Sequence, residues 1–400
     1  MDTFVMPTGA TPAVAPVGVR TVNTAAGSHD GILSSQWYSR PDDQRFLDLD
    51  TLLASLVARK DASMVKTVET RKMRVFGKRD DDQFIGLRLD DGTEVSPTHY
   101  SFGQLCTQVK APAGFLRQLP APLAGTVLQH RLSHHETELM KVYAIDQGEQ
   151  TPLELRALTG PNYGRIFDAD GVKYVKDYTD GGDWKVPGTM NWGSGIYDPN
   201  TAVTKRSTTL YASDHDCFVF LCRDTHPIEV GKLADGSPDY LFPGFIFCNS
   251  ETGAGAAWIQ TMWLRAVCQN RNLWGVEGSQ RVYIRHTSGA PTRFADEAAP
   301  ALLSFTEQAA GPVVAKVKAA QQISIGAERD DRIGFFTDLG FSKTATEAMF
   351  DTFFQEEQRP VRNLWDATQA MTAAARDVPH QDERIGLERA AGKLMEKVTA

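Results

Sequence analysis

The stretch Phe245-Ile246-Phe247-Cys248-Asn249-Ser250-Glu251-Thr252-Gly253-Ala254-Gly255 decides how this 400-residue chain is read. Four apolar residues form a short run bounded by turn signals, which is the pattern of a buried strand. The run passes directly into Asn249, Ser250, Glu251 and Thr252, and then into glycines that tolerate close backbone approach. A second apolar run, Trp258–Cys268, follows and ends in Gln269, Asn270, Arg271 and Asn272. A third, Gln280–Arg285, leads into His286 and Thr287. Strand, polar turn and strand in close succession predict an antiparallel sheet with hydrogen-bonding side chains at its strand ends.

Working back from this centre, strands are expected at Cys217–Cys222, Thr208–Ala212, Leu153–Thr159 and Leu139–Ile145. Between them lie a long Gly-, Asp- and Trp-containing loop, Asp180 to Asn200, and a turn at Gly160–Gly164 followed by a short helix or strand around Ile166 and Tyr174. Short helices are expected at Phe102–Val109, Ala113–Leu119 and from Leu123 to about Arg131, punctuated by Pro112 and Pro120. Met73–Phe76 and Phe84–Leu89 flank an acidic turn and read as a hairpin. Leu49, Leu52, Leu53 and Leu56 have helical spacing within Phe46–Arg59, with Asp50 or Thr51 as the start signal. Forward from the centre the pattern turns helical, at Asp296–Ala309, Pro312–Gln322, Lys343–Gln358, Val361–Ala375 and Asp382–Val398.

The expected class is therefore α+β. A flexible arm (1–30) precedes a mixed N-terminal domain (31–150), a central, mostly antiparallel domain (151–292) and a C-terminal helical region (293–400). Hydrophobic content of 42% is that of a folded chain. No apolar run approaches the roughly 20 residues that cross a bilayer, and Met1–Gly27 lacks the basic and apolar regions of a secretory signal. Five thinly spread cysteines, with no CxxC pair, fit reduced thiols rather than a disulfide framework or a zinc ribbon. These features predict a cytoplasmic protein that does not enter the membrane.

The net charge of −8 argues against indiscriminate coating of duplex DNA, but it hides local asymmetry. Eight basic residues face two acids between Arg59 and Arg79, and five face one between Ala256 and Phe294, whereas acids exceed bases from Gly326 onward. Arg71, Lys72, Arg74, Lys78 and Arg79 on the hairpin, with Arg265, Arg271 and Arg285, are the candidate phosphate contacts. Asn249, Ser250, Glu251, Asn270 and His286 form the candidate polar centre. Trp258, Trp263, Trp274, Tyr283 and Phe294 interleave with the central arginines, as stacking platforms do in single-strand binders; in a folded sheet the same spacing also describes core. Arg265 has a second reading too, as an internal partner of Glu251.

Other constellations are weaker. Asp214-His215-Asp216 invites a metal-assisted hydrolase together with Glu251, but a solvated turn accounts for it more simply. A Cys268/His286 nucleophilic pair has no support from spacing, and His134-His135-Glu136 reads as surface. Gly253-Ala254-Gly255 lacks the spacing of a nucleotide loop. No cofactor or resident metal is expected.

The run GFIFCNSETGAGAAWIQTMWLRAVCQN (Gly244–Asn270), followed by Arg285-His286-Thr287, resembles the signature of the phage- and plasmid-borne family known as domain of unknown function 932. The matching positions are Asn249, Ser250, Glu251, Gly253, Arg265, Cys268, Asn270, Arg285 and His286. Tyr100–Pro120 and Leu155–Asp168 are similar to the family as well, although Gly160 and Pro161 stand where it usually carries a serine. The resemblance spans roughly Leu49 to Ala310. It implies a mobile-element protein of the bacterial cytoplasm and no defined activity. Taken with the charge pattern, the leading expectation is a nucleic-acid binding protein, single strands favoured, acting in replication or recombination. A non-catalytic interaction or host-modulating protein comes second, the hydrolase third, and the C-terminal helices could join two copies.

Overall fold

The computed structural model describes residues 42–78, 81–134, 139–146, 148, 152–186, 190–191, 196–197, 202–205, 208–223, 227–265, 271–272, 282–306, 310–376 and 381–398. It is an α+β structure with two main sheets and a helical C-terminal region. The chain enters through β1 (Arg45–Phe46) and α1 (Leu49–Asp61). The start signal of α1 is Asp48 rather than Asp50 or Thr51, because its carboxylate accepts the Thr51 N–H at 2.7 Å.

The first sheet contains β2 (Ser63–Glu69), β3 (Arg74–Lys78), β4 (Asp81–Arg88) and β5 (Glu94–Pro97). After α2 (His99–Gln108), α3 (Ala113–Leu116) and α4 (Ala121–His134) it is completed by β6 (Leu139–Ile145) and β7 (Leu153–Thr159). The strand order is β2-β6-β7-β5-β4-β3, antiparallel except for the β5–β7 pair. Both edge strands are therefore consecutive in sequence. A flat six-stranded sheet would hold its edges about 24 Å apart, more than the ~17 Å that residues 70–73 can span. Twist must curl the sheet, and Lys66 of β2 accordingly reaches Asp91 and Thr93 in the β4–β5 turn. Phe102, Leu105, Leu128 and Leu132 of α2 and α4 fill the sheet's inner face with Val75, Leu87, Val142 and Leu155.

The second sheet follows α5 (Asp168–Thr179) and the paired short strands β8 (Met190–Asn191) and β9 (Ile196–Tyr197). Its later strands are β10 (Leu210–Ala212), β11 (Cys217–Cys222), β12 (Ile228–Lys232), β13 (Pro238–Asn249), β14 (Ala257–Arg265), β15 (Arg271–Asn272) and β16 (Val282–Ile284). The order is β1-β10-β11-β13-β14-β15, with β12 on β13 and β16 on β14, all antiparallel. α1, α5 and α6 (Ala290–Thr306) cover one face, where Leu56, Val172 and Phe294 meet Val219, Phe245, Phe247 and Ile259.

α7 (Ala310–Gln322), α8 (Arg329–Asp338), α9 (Lys343–Glu357), α10 (Leu364–Arg376) and α11 (Gln381–Glu396) complete the chain. They bury Trp365, Phe336 and Phe353 together with Val230, Leu241 and Trp263 of the second sheet. Among the described residues no helix is long and apolar enough to cross a membrane.

Sheet membership divides the chain differently from a boundary at 150/151. β7 lies in the first sheet because it pairs with the strand just before it in sequence, and β1 with α1 packs on the second through Leu52 and Leu56.

Candidate functional site

Three connections gather at one end of the second sheet: Ser213–Asp216 between β10 and β11, Ser250–Ala256 between β13 and β14, and Arg285–Thr287 after β16. The first two meet the outer face of β6 and β7, and the third meets Tyr163 and Gly164 in the connection after β7. Along β6, Val142 and Ala144 face the helices while Tyr143 and Ile145 face the junction, as the period of two requires. Register shifts between Tyr143 and Ala144, where Arg156 is the extra residue of β7. The bulge turns Arg156 into the junction, where it pairs with Glu154 at 3.2 Å and donates to Ser213 O at 2.9 Å.

Glu251 is the keystone of this junction. It is buried; Oε1 accepts from the Tyr143 hydroxyl at 2.8 Å and Oε2 from the Asp168 backbone N–H, at the N-terminus of α5, at 3.0 Å. A carboxylate there is favoured by the helix dipole. Its carbonyl accepts from Arg165, whose guanidinium lies 4.2 Å from the Tyr143 ring centroid. Asn249 is fully buried and donates to Ile166 O at 2.9 Å and Asp168 Oδ1 at 2.7 Å. Burial, reinforced by the adjoining Glu251 charge, holds the Asp168 carboxyl well above its ordinary value of 3.8. The Ser250 hydroxyl donates to His215 O at 2.5 Å and accepts from Ala254 N at 2.8 Å. His286 stacks on Tyr163 at 4.8 Å and bonds Gly164 O through Nδ1 at 3.1 Å; burial lowers its pKa.

Beside this network opens a cleft of about 650 Å³ between α2 and the first two of these turns. His215 and Tyr100 line it with rings stacked at 5.2 Å and 16°. His215 Nδ1 lies 2.6 Å from Oδ1 of Asp214, a carboxylate only 3% exposed. Burial alone would raise the Asp214 pKa, but the His215 hydrogen bond and charge, with Arg156 behind them, leave it lowered. A histidine fixed through one nitrogen by a buried carboxylate is an oriented hydrogen-bonding group. The solvated turn expected at Asp214-His215-Asp216 is thus corrected. The turn points inward because Arg156 and Ser250, distant in sequence, supply the partners that a buried Asp–His pair needs.

The expected site residues separate. Asn249, Ser250, Glu251 and His286 do converge on the junction, but as bonded members of it. Arg265 pairs neither with Glu251 nor with solvent. It is 1% exposed and forks onto Asp239, with Nε–Oδ1 at 2.8 Å and Nη2–Oδ2 at 2.7 Å, while Nη1 bonds Glu357 of α9. As a phosphate contact it is corrected, since a guanidinium enclosed by two carboxylates presents no charge outward. Trp258, Trp263 and Phe294 are core rather than platforms, while Tyr283 is exposed. Arg71, Lys72, Arg74, Lys78 and Arg285 are exposed. Arg271 lies on β15; its side chain, and Arg79, Asn270, Cys268 and Trp274, are outside the described residues.

Among the described residues no group of three His, Cys, Asp or Glu is placed to hold a metal ion. Asp216 instead accepts from the Ser213 hydroxyl at 2.5 Å. Sequence reasoning missed Tyr143, Arg156, Arg165 and Asp168. Their only local sign was the unusual placing of Arg156 within an apolar strand.

Fold and junction together define a two-sheet α+β protein with a buried polar seam and an adjoining cleft. Residues 206–390 match the model of the family described as Domain of unknown function (DUF932). That match runs from the second sheet into α11 and leaves the first sheet outside it, with Tyr100–Pro120 and Leu155–Asp168. No curated protein and no solved structure matches the chain.

Proposed function

We propose that this is a nucleic-acid binding protein of a phage or plasmid, working in the bacterial cytoplasm and favouring single strands. What supports the reading is the edge of the first sheet. Arg71 and Lys72 in the link before β3, and Arg74 and Lys78 on β3, are all exposed on nine consecutive residues, 70–78, at the end of the strand order. Lys72 meets Glu69 at 2.8 Å and Arg74 donates to Arg71 O at 2.7 Å, both within three residues along the chain. Exposed pairs of this kind are screened by solvent and contribute little to stability, so a phosphate can replace them at small cost. Phe76 beside them is half-buried, with Arg88 over its ring at 5.5 Å.

Charged edges also serve simply to block strand pairing, and salt dependence separates the two roles. Binding of single- and double-stranded oligonucleotides is measured across a salt series. The parent is expected to bind single strands at low salt. Changing Arg71, Lys72, Arg74 and Lys78 together to Ala should flatten the log–log slope by about 0.7 for each phosphate no longer neutralised. Absence of low-salt binding, or an unchanged slope in the variant, overturns the reading. Light scattering on the same samples tests association of two copies through the C-terminal helices.

A further inference from the structure

We propose that the cleft between α2 and the Ser213–Asp216 and Ser250–Ala256 turns is a nucleobase site, taking one planar heterocycle with its phosphate. Where the base belongs to a bound strand, the inference rests on the reading above; for a free nucleotide it does not.

Three parts of the cleft match three parts of such a ligand. The wall is aromatic, since Tyr100 and His215 both line the cleft as a stacked pair. The pair is held in place rather than free to rotate. Asp214 fixes the imidazole edge at 2.6 Å, and the His215 carbonyl accepts from Ser250 at 2.5 Å and from Thr252 at 3.3 Å. A wall already ordered before binding spares the ligand that entropic cost. The floor is apolar, from Met140 and Leu158, and a thioether packs well against a ring. The charge is Arg117, anchored by Nη2 to His99 O at 2.9 Å and lying 5.3 Å over the Phe102 ring. A guanidinium held at the cleft suits phosphate oxygens.

The 650 Å³ volume lies within the roughly 300–1,000 Å³ of small-ligand sites. A bare anion would use Arg117 and leave the aromatic wall idle. A purely apolar ligand would leave the imidazole and guanidinium without a role.

The test uses the full chain, with calorimetric titration of adenosine and cytidine monophosphates and of ribose 5-phosphate, which lacks a base. Single-stranded oligonucleotides with and without abasic positions form a second arm. Tyr100→Ala removes half the wall. Gly160→Trp obstructs the cleft from a position where a Cβ meets nothing within 4 Å, so the variant is expected to keep its melting temperature. The nucleoside monophosphates should bind about tenfold or more tighter than ribose 5-phosphate, and both variants should lose about that factor.

Equal binding of ribose 5-phosphate and the monophosphates overturns the inference, as does unaltered monophosphate binding by both variants. Should oligonucleotides bind through the basic edge, with no abasic penalty and no monophosphate binding, the cleft assignment falls and the strand reading stands. Should monophosphates bind and oligonucleotides not, the cleft is a free-nucleotide site and the strand reading falls.

Discussion

Arg265 illustrates how far a single residue's role depends on partners that the sequence keeps distant. It lies between Asp239, 26 positions away, and Glu357, 92 positions away, with Arg359 touching Glu357 from the surface at 3.5 Å. Removing one member of a buried ionic cluster leaves uncompensated charge and costs about 3–5 kcal/mol. Arg265→Ala should therefore lower the urea-unfolding free energy by about that amount, and a change below about 1 kcal/mol would mean that the carboxylates find other compensation. Asp168 makes a second prediction at this scale. Its folded pKa is raised, so its stabilising contribution is complete below about pH 4 and is lost as pH rises through the folded value. Asp168→Asn cannot ionise, yet its amide oxygen can still accept from Asn249. Urea midpoints should fall less between about pH 5 and about pH 9 in the variant than in the parent; parallel curves would remove Asp168 from the account.

At the level of elements, the connection from β7 to α5 works only with glycine at one place. A Cβ on Gly164 would collide with the carbonyl oxygen of Thr287, a backbone atom, in a segment tied by Gly164 N to His286 O at 3.0 Å. Gly164→Ala should destabilise by about 3 kcal/mol, whereas Gly160→Ala, four residues away in open space, should stay within about 0.5 kcal/mol. Thermal or urea melts of the two variants side by side decide this.

The same contrast explains what could be read in advance. Leu139–Ile145, Leu153–Thr159 and Cys217–Cys222 are strands at the expected limits, since short, mostly apolar segments bounded by polar and turn residues declare themselves. β13 begins at Pro238, seven residues before the expected Phe245, because pairing with β12 and β14 carries it through Asp239 and Pro243. α8 was invisible, as Arg329-Asp330-Asp331-Arg332 shows no apolar face and its helix is fixed by a capping box at Glu328 and by Phe336 in the C-terminal core. At the site, the dense polar run Asn249–Glu251 stands out in the sequence, and the fold buries it as bonded members of the junction. Tyr143 and Asp168, 108 and 83 positions from Glu251, left no trace in local pattern.

Over the whole molecule, the two sheets communicate through the Glu251 seam, and the chain supplies its own probe of that coupling. None of the seven tryptophans lies within β2–β7 in the sequence, and among the described residues Trp184, Trp258, Trp263 and Trp365 pack in the cores of the second sheet and the C-terminal helices, so their fluorescence reports on that part of the molecule. Far-UV circular dichroism senses both sheets. While Tyr143 of β6 bonds Glu251 and Arg156 of β7 bonds Ser213 O, opening either sheet breaks both bonds, which couples the two transitions. The two signals should then give one urea midpoint in the parent protein. Glu251→Ala removes two hydrogen bonds to a charged acceptor, each contributing about 1.5–3 kcal/mol, and leaves the Tyr143 hydroxyl and Asp168 N–H unsatisfied. In that variant the dichroism transition should begin at lower urea than the fluorescence transition, because the smaller sheet opens first. Coincident transitions in both proteins would place the coupling elsewhere, with the Gln104 bonds to Thr252 O and Leu158 N, 2.8 and 2.9 Å, as the next link to cut.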